Sequence, residues 1–180
     1  EPEKKILAEY GIELIVAPDG SEDTLVELAK EVDGILTCFA KVTNNVVKSA
    51  QNCKVIGRFG VGVDNIDVGE ATKQGIVVTY VPDYCVDEVS DHVIGLLLAW
   101  NRKIVLHNND TKLSGWGNAG LGMRIMGLRG KKLGIVGFGR IGRMVAKKAQ
   151  AFGLEVLSFD PMVESDFMNQ LEVKKVELDD

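Results

Sequence analysis

The sequence predicts an α/β fold in which parallel strands alternate with helices. Short apolar runs alternate with helical stretches through the N-terminal half of the 180 residues. A helix, a glycine and a strand follow one another at Gly11, Gly75 and Gly153. Residues 132–160 have the pattern of a complete β-α-β unit. This alternation is typical of parallel sheets with helices on both faces, and we expect two lobes, residues 1–99 and 100–180.

The individual elements follow from the spacing of apolar runs and turn residues. Helices are expected at residues 3–10, 23–31, 43–50 and 67–74, and strands at residues 12–16, 34–37, 54–57 and 76–79. A long helix over residues 87–106 is apolar nearly all round, so we expect it to be buried between lobes or against another subunit. The glycine-rich residues 114–122 are expected to form a loop.

The second lobe contains a glycine motif between a strand and a helix. Residues 133–136 predict a buried parallel strand, residues 143–152 a helix, and residues 154–159 a second strand. Gly137, Gly139 and Gly142 stand where a tight turn, the close approach of a pyrophosphate and close helix packing are required. Because a helix N-terminus attracts phosphate groups, this unit predicts dinucleotide binding.

Asp160 stands at the tip of the second strand of this unit. A carboxylate there can accept hydrogen bonds from ribose hydroxyls, and it repels a 2′-phosphate. Pro161 and the three residues that follow it carry no positive charge. The sequence therefore predicts NAD rather than NADP as the cofactor.

Composition excludes several classes of protein. The net charge of −5 argues against nucleic-acid binding, because a phosphate backbone requires a basic surface. No apolar run approaches the length of a membrane span, so no membrane partner is expected. The three cysteines are widely spaced and form neither a metal pattern nor a disulfide framework, which favours a reducing, cytoplasmic environment.

Three segments resemble the NAD-dependent D-isomer specific 2-hydroxyacid dehydrogenases: residues 60–67 (GVGVDNID), 91–98 (DHVIGLLL) and 128–142 (LRGKKLGIVGFGRIG). The resemblance implies a flavodoxin-like substrate lobe, here without its first strand, and a truncated Rossmann NAD-binding lobe. We therefore expect the chain to be part of a longer protein. The resemblance also implies NAD as cofactor and a small 2-hydroxy or 2-oxo acid as substrate, while the long apolar helix favours a homodimer.

The resemblance further implies roles for single residues. The amides of Val61 and Gly62 would hold the substrate carboxylate, and Val89 would lie near the nicotinamide. A tight loop at Val61 and Gly62, and helix packing at Val89, are the alternative interpretations. Asp67 is expected to cap the following helix rather than to act in catalysis. The cofactor contacts expected from the motif and the resemblance together are Val89, Gly137, Gly139, Arg140, Ile141, Gly142, Asp160 and Pro161.

No catalytic residue and no metal ligand is assigned. The resemblance places the family's catalytic Arg, Glu and His after the dinucleotide motif, beyond Asp180, whereas His92 and His107 both precede that motif. His92 matches a structural position, and His107 is expected near the C-terminal end of the long helix. Residues 36–43 contain no Arg that could meet a phosphorylated substrate, so the choice among small 2-hydroxy and 2-oxo acids stays open.

The predicted function of the intact protein is hydride transfer between NAD(H) and a small D-2-hydroxy acid or 2-oxo acid. Two alternatives stay open. One is an NAD-dependent binding protein, because residues 81–89 resemble the C-terminal-binding-protein corepressors. The other is an inactive fragment.

Overall fold

The computed structural model describes residues 2–116 and 125–180. The chain divides into two compact units, one ending at Pro82 and the other running from Asp83 to Asp180. The predicted boundary, between residues 99 and 100, lies instead near the end of a helix that belongs entirely to the second unit. That helix belongs there because it packs along the helix of the glycine motif.

The first unit contains a parallel sheet of three strands. Its elements are α1 (Pro2–Glu9), α2 (Glu22–Ala29), β1 (Gly34–Thr37), α3 (Asn44–Ser49), β2 (Val55–Arg58), α4 (Val68–Lys73) and β3 (Val77–Thr79), with the strands in the order β1-β2-β3. Ser21, Thr43 and Asp67 cap α2, α3 and α4 with side-chain oxygens, which confirms Asp67 as a cap. The core of the unit includes Val47, Ile56 and Ala71.

The second unit contains a second parallel sheet. Its elements are α5 (Val86–Asn101), α6 (Ile104–Ser114), β4 (Lys132–Val136), α7 (Arg140–Ala151), β5 (Glu155–Phe159), α8 (Ser165–Gln170) and β6 (Val173–Lys175), with the strands in the order β4-β5-β6. Its core includes Phe138, Ala149, Val156 and Met168. The predicted β-α-β unit is thus confirmed, with each strand boundary displaced by one residue at most.

The prediction that helices cover both faces of each sheet is wrong for the described residues. Ile35, Ile56 and Val78 face the first core, whereas Leu36, Val55 and Val77 on the opposite face are exposed. On β4 the predicted burial also fails on one face, where Val136 is 75% exposed. When successive right-handed crossovers run in the same direction along a sheet, their helices lie on the same face. The strand orders β1-β2-β3 and β4-β5-β6 each run in one direction without reversal.

Two predicted elements differ from the structure. Residues 12–16 form no strand, because no described strand lies beside them to complete a ladder of hydrogen bonds. The helix predicted over residues 87–106 is two helices, since Lys103 adopts a left-handed conformation with φ 56° between α5 and α6. Ser114 ends α6, and residues 117–122 of the predicted loop lie outside the described residues.

The two-helix arrangement bears on two further expectations. α5 packs on the core through Ile94, but its opposite face is open, and Trp100 is 65% exposed. The described residues bury α5 on one side, and its burial between lobes or against another subunit stays a prediction. His107 lies in the first turn of α6 rather than near a helix C-terminus, so the expected favourable dipole contact is absent. Across the described ranges, no helix combines the length and apolarity that crossing a bilayer requires.

Candidate cofactor and carboxylate sites

The glycine motif lies at the carboxyl edge of the second sheet. Val136 of β4 pairs with Phe159 of β5, so the next residues, Gly137 and Asp160, lie side by side. The Gly137 amide donates to the Phe159 carbonyl at 2.8 Å, and Gly137 has φ 93°. Residues with a Cβ rarely adopt this conformation, so the turn out of β4 depends on glycine.

The other two motif glycines differ in their surroundings. A Cβ built on Gly142 would lie 2.3 Å from the Gly137 carbonyl oxygen, so α7 could not pack this closely on the loop with a larger residue. A Cβ built on Gly139 meets no described atom within 4 Å, and Gly139 has φ −72°. Space at residue 139 is what the close approach of a ligand requires, whereas residue 142 is filled by the protein itself.

The N-terminus of α7 directly follows the loop formed by residues 137–139, which we call the glycine loop. Gly139 is the N-cap residue and supplies no side-chain hydrogen bond, and the Arg143 amide donates to the Gly139 carbonyl at 3.0 Å. Arg140 and Ile141 occupy the first turn, whose amides have no acceptor within a helix. Such a turn carries partial positive charge and suits a phosphate.

Asp160 bonds to the glycine loop as well as standing at the strand tip. One carboxylate oxygen accepts from the Phe138 amide at 2.6 Å, and the other accepts from the Met162 amide at 2.8 Å. Both bonds lower the pKa of the Asp160 carboxyl below its usual value, and the bond from the Phe138 amide has the larger effect. Asp160 is therefore ionised at neutral pH and is held in one orientation.

Sequence reasoning missed two residues of this edge. Phe138 occupies a variable position of the motif, yet its side chain is buried in the core while its amide bonds to Asp160. The only signal in the sequence was an apolar residue inside a glycine-rich loop. Lys175, at the end of β6, donates to the Val163 carbonyl at 2.8 Å, and its charge contributes to the lowered pKa of Asp160. The sequence did not indicate this role, because Lys175 is far from Asp160 along the chain. Pro161, which directly follows Asp160, is exposed.

The predicted carboxylate loop follows β2 in the first unit. Val61 and Gly62 are exposed, and neither amide has a hydrogen-bond acceptor among the residues that the structure describes. The flanks of the loop are fastened: the Val81 amide donates to the Gly60 carbonyl at 3.0 Å, and the Asn65 side-chain amide donates to the Ala40 carbonyl at 2.9 Å. Two adjacent amides on an anchored loop can bind an anion.

Val89 and His92 both lie on α5. The Val89 side chain is exposed rather than packed into the core, although its amide makes an ordinary helical bond to the Cys85 carbonyl at 2.9 Å. His92 is also exposed. The structure thus brings Gly137, Phe138 and Asp160 together, and it places Val61 and Gly62 in the first unit.

Comparison with known proteins identifies the family. Residues 1–173 match the model of the D-isomer specific 2-hydroxyacid dehydrogenase catalytic domain. The chain is 39% identical over 176 residues to a D-3-phosphoglycerate dehydrogenase of Methanocaldococcus jannaschii, covering 96% of this chain and 33% of that protein. It is 39% identical over 157 residues to a glyoxylate reductase of Thermococcus litoralis, covering 83% of this chain and 47% of that protein.

A solved structure shares the fold over nearly the whole chain. An NAD-dependent formate dehydrogenase from Staphylococcus aureus, in complex with NAD, superposes with a TM-score of 0.81 at 29% identity, over 99% of this chain and 54% of that one. The chain spans between about a third and about half of the length of these relatives. From the match of 173 residues to the family model, the chain belongs to the D-isomer specific 2-hydroxyacid dehydrogenase family.

Proposed function

We propose that the protein carrying this chain transfers a hydride between NAD(H) and a small D-2-hydroxy acid or the corresponding 2-oxo acid. The observation that carries the proposal is the meeting of the glycine loop with the ionised Asp160 at one sheet edge. This edge combines an open approach at Gly139, a helix N-terminus and a fixed carboxylate. These are the groups that a dinucleotide requires.

The residues present fit NAD. Gly139 leaves space for the pyrophosphate, and the first turn of α7, with Arg140 and Ile141, offers amides to it. Asp160 would accept hydrogen bonds from ribose hydroxyls, beside Pro161, and its negative charge opposes the 2′-phosphate of NADP. When bound, NAD supplies the hydride-transferring carbon of the nicotinamide. The protein supplies binding and orientation, and we propose that Val89 contacts the nicotinamide ring.

The carboxylate of the substrate is assigned to the amides of Val61 and Gly62. Both amides are exposed, and both lack acceptors within the described part of the chain. The named relatives act on phosphoglycerate and glyoxylate, both of which carry a carboxylate beside the reacting carbon. Because residues 36–43 hold one cation only, the exposed Lys41, we propose an unphosphorylated 2-oxo acid such as glyoxylate as the first substrate to test.

We also propose a homodimer. Leu96 and Trp100 on α5 are large apolar side chains that the described residues leave exposed. Analytical ultracentrifugation would test this proposal, and a monomer at micromolar concentration would contradict it.

The experiment that tests the proposed function is NADH binding by wild-type protein and by Gly139→Val. Gly139 has ordinary backbone angles, φ −72° and ψ −163°, and its surroundings are open, so valine should be accommodated without unfolding. We expect the variant to lose NADH binding and to retain the wild-type circular dichroism spectrum and urea midpoint. Retained NADH affinity in a folded variant would reject the assigned cofactor site. NADH oxidation with glyoxylate then tests the reaction, whereas NADH binding without turnover on any 2-oxo acid would favour a binding protein.

A further inference from the structure

A lysine on α7 joins this helix to the beginning of α5. The Lys148 ammonium donates to the Asp91 carboxylate at 2.7 Å, the Ser90 hydroxyl at 2.7 Å and the Asp87 carbonyl at 3.1 Å. It also lies 3.4 Å from the Asp87 carboxylate. An ammonium group has three donors, so these bonds use its full capacity. We call this group of four residues the α5–α7 clasp.

The clasp is more than a pair of surface ions. Ser90 is fully buried, and its hydroxyl donates to the Asp87 carbonyl at 2.9 Å while it accepts from Lys148. The Lys148 side chain is only 24% exposed. Asp87 and Asp91 are largely exposed, and ion pairs with exposed partners contribute little to stability. The directional bond to a buried hydroxyl fixes geometry instead.

The clasp lies at the beginning of α5. Cys85, the N-cap residue, makes no side-chain bond to the helix. Lys148 therefore restrains the first two turns of α5, and Val89 lies between the clasp residues Asp87 and Asp91. The other end of the clasp is α7, whose N-terminus carries the proposed pyrophosphate site. A group that fixes both helices fixes Val89 with respect to the glycine loop.

We propose that Lys148 is a positioning residue for the nicotinamide, acting through Val89, an inference that rests on the proposed function. The phosphates and the adenosine ribose of the cofactor would meet the α7 N-terminus and Asp160, which the clasp does not contact. Loss of the clasp should therefore affect the nicotinamide end of the cofactor and leave the adenosine end bound as before. Supporting groups of this kind hold contact residues in their productive places.

The test compares NADH with ADP-ribose, which lacks the nicotinamide, in Lys148→Met and Lys148→Arg. Lys147→Met is the matched control, since Lys147 is the exposed neighbour on the same helix. We expect Lys148→Met to raise the Kd for NADH by about tenfold, through displacement of Val89 rather than through a lost contact to the ligand. The Kd for ADP-ribose should stay within about twofold, Lys148→Arg should restore most of the NADH affinity, and Lys147→Met should match wild type.

Two results would overturn the inference: unchanged NADH affinity in Lys148→Met, or an equal loss of affinity for NADH and ADP-ribose, which would show a general loosening of α7. If wild-type protein binds neither ligand, the proposed function fails. Amide hydrogen exchange then still tests whether the clasp restrains the beginning of α5. Faster exchange of the Val89 to Val93 amides in Lys148→Met would support it, and unchanged exchange would reject it.

Discussion

Replacing Gly142 with alanine separates helix packing from cofactor binding within one motif. The new Cβ would lie 2.3 Å from the Gly137 carbonyl oxygen and 3.3 Å from the carbonyl carbon. Since Cβ atoms essentially never come within 3.0 Å of other atoms, α7 or the loop must move by roughly 0.7 Å. The displaced atoms are backbone atoms of the glycine loop, so the shift cannot be absorbed by a flexible side chain.

Two effects of opposite sign determine the change in stability. Alanine is preferred to glycine inside a helix by about 0.5–1 kcal/mol. Forcing a methyl group into close-packed structure costs about 1–3 kcal/mol. The steric effect is the larger because both the helix and the loop are backbone at the contact. We expect the free energy of unfolding to fall by about 1–2 kcal/mol.

Urea denaturation followed by circular dichroism measures this change, and NADH titration measures the effect on the site. Gly139→Ala is the matched control, because its Cβ meets no described atom within 4 Å and its φ of −72° suits alanine. We expect Gly139→Ala to weaken NADH binding at an unchanged urea midpoint, and Gly142→Ala to lower both. A Gly142→Ala protein as stable as wild type would refute the packing argument.

Three further predictions concern the same unit. Asp160→Asn should narrow the preference for NADH over NADPH, because a neutral amide no longer repels a 2′-phosphate; an unchanged ratio of the two dissociation constants would contradict this. The pKa of Asp160 is lowered by folding, so its contribution to stability is present above the unfolded pKa of about 3.9 and is lost as the pH falls through the lower folded pKa. The free energy of unfolding should therefore decline less between pH 6 and pH 3 in Asp160→Asn than in wild type. An equal decline in the two proteins would contradict this prediction. Met168→Ala, at a side chain with no exposure, should lower the free energy of unfolding by about 2–5 kcal/mol, whereas Met162→Ala, 88% exposed, should change it by less than about 0.5 kcal/mol; equal urea midpoints would show that Met168 does not fill the core.

Local patterns predicted the elements whose signals are local. The strands predicted at residues 34–37 and 154–159 and the cap at Asp67 follow from apolar runs and a capping residue. The structure contains all three, with the second strand beginning one residue later, at Glu155. Residues 12–16 have the same apolar character, yet a strand also requires a neighbour, which is a property of the tertiary structure. The break at Lys103 had no glycine or proline to mark it, because a lysine adopts the left-handed conformation there.

The candidate site divides along the same line. The three motif glycines and Asp160 were predicted from spacing, because each proposed function requires a particular residue type at a particular distance. Two bonds were not predicted: the bond from the Phe138 amide to Asp160 and the bond from Lys148 to Ser90. Each joins residues that are far apart in sequence. Polar side chains with many possible partners carry no sequence signal for the partner they choose. The register of β4 with β5 decides the first contact, and the packing of α5 on α7 decides the second.

The loop bonds of Asp160 are compatible with its proposed contact to ribose. Each carboxylate oxygen has two lone pairs, and the amides of Phe138 and Met162 use one on each oxygen. A ribose hydroxyl can donate to the remaining positions without breaking either bond. Because the carboxylate is already fixed and ionised, little rotamer freedom remains to be lost when the ligand binds. Asp160 would therefore link the shape of the glycine loop to the proposed recognition of ribose, and its replacement should disturb both.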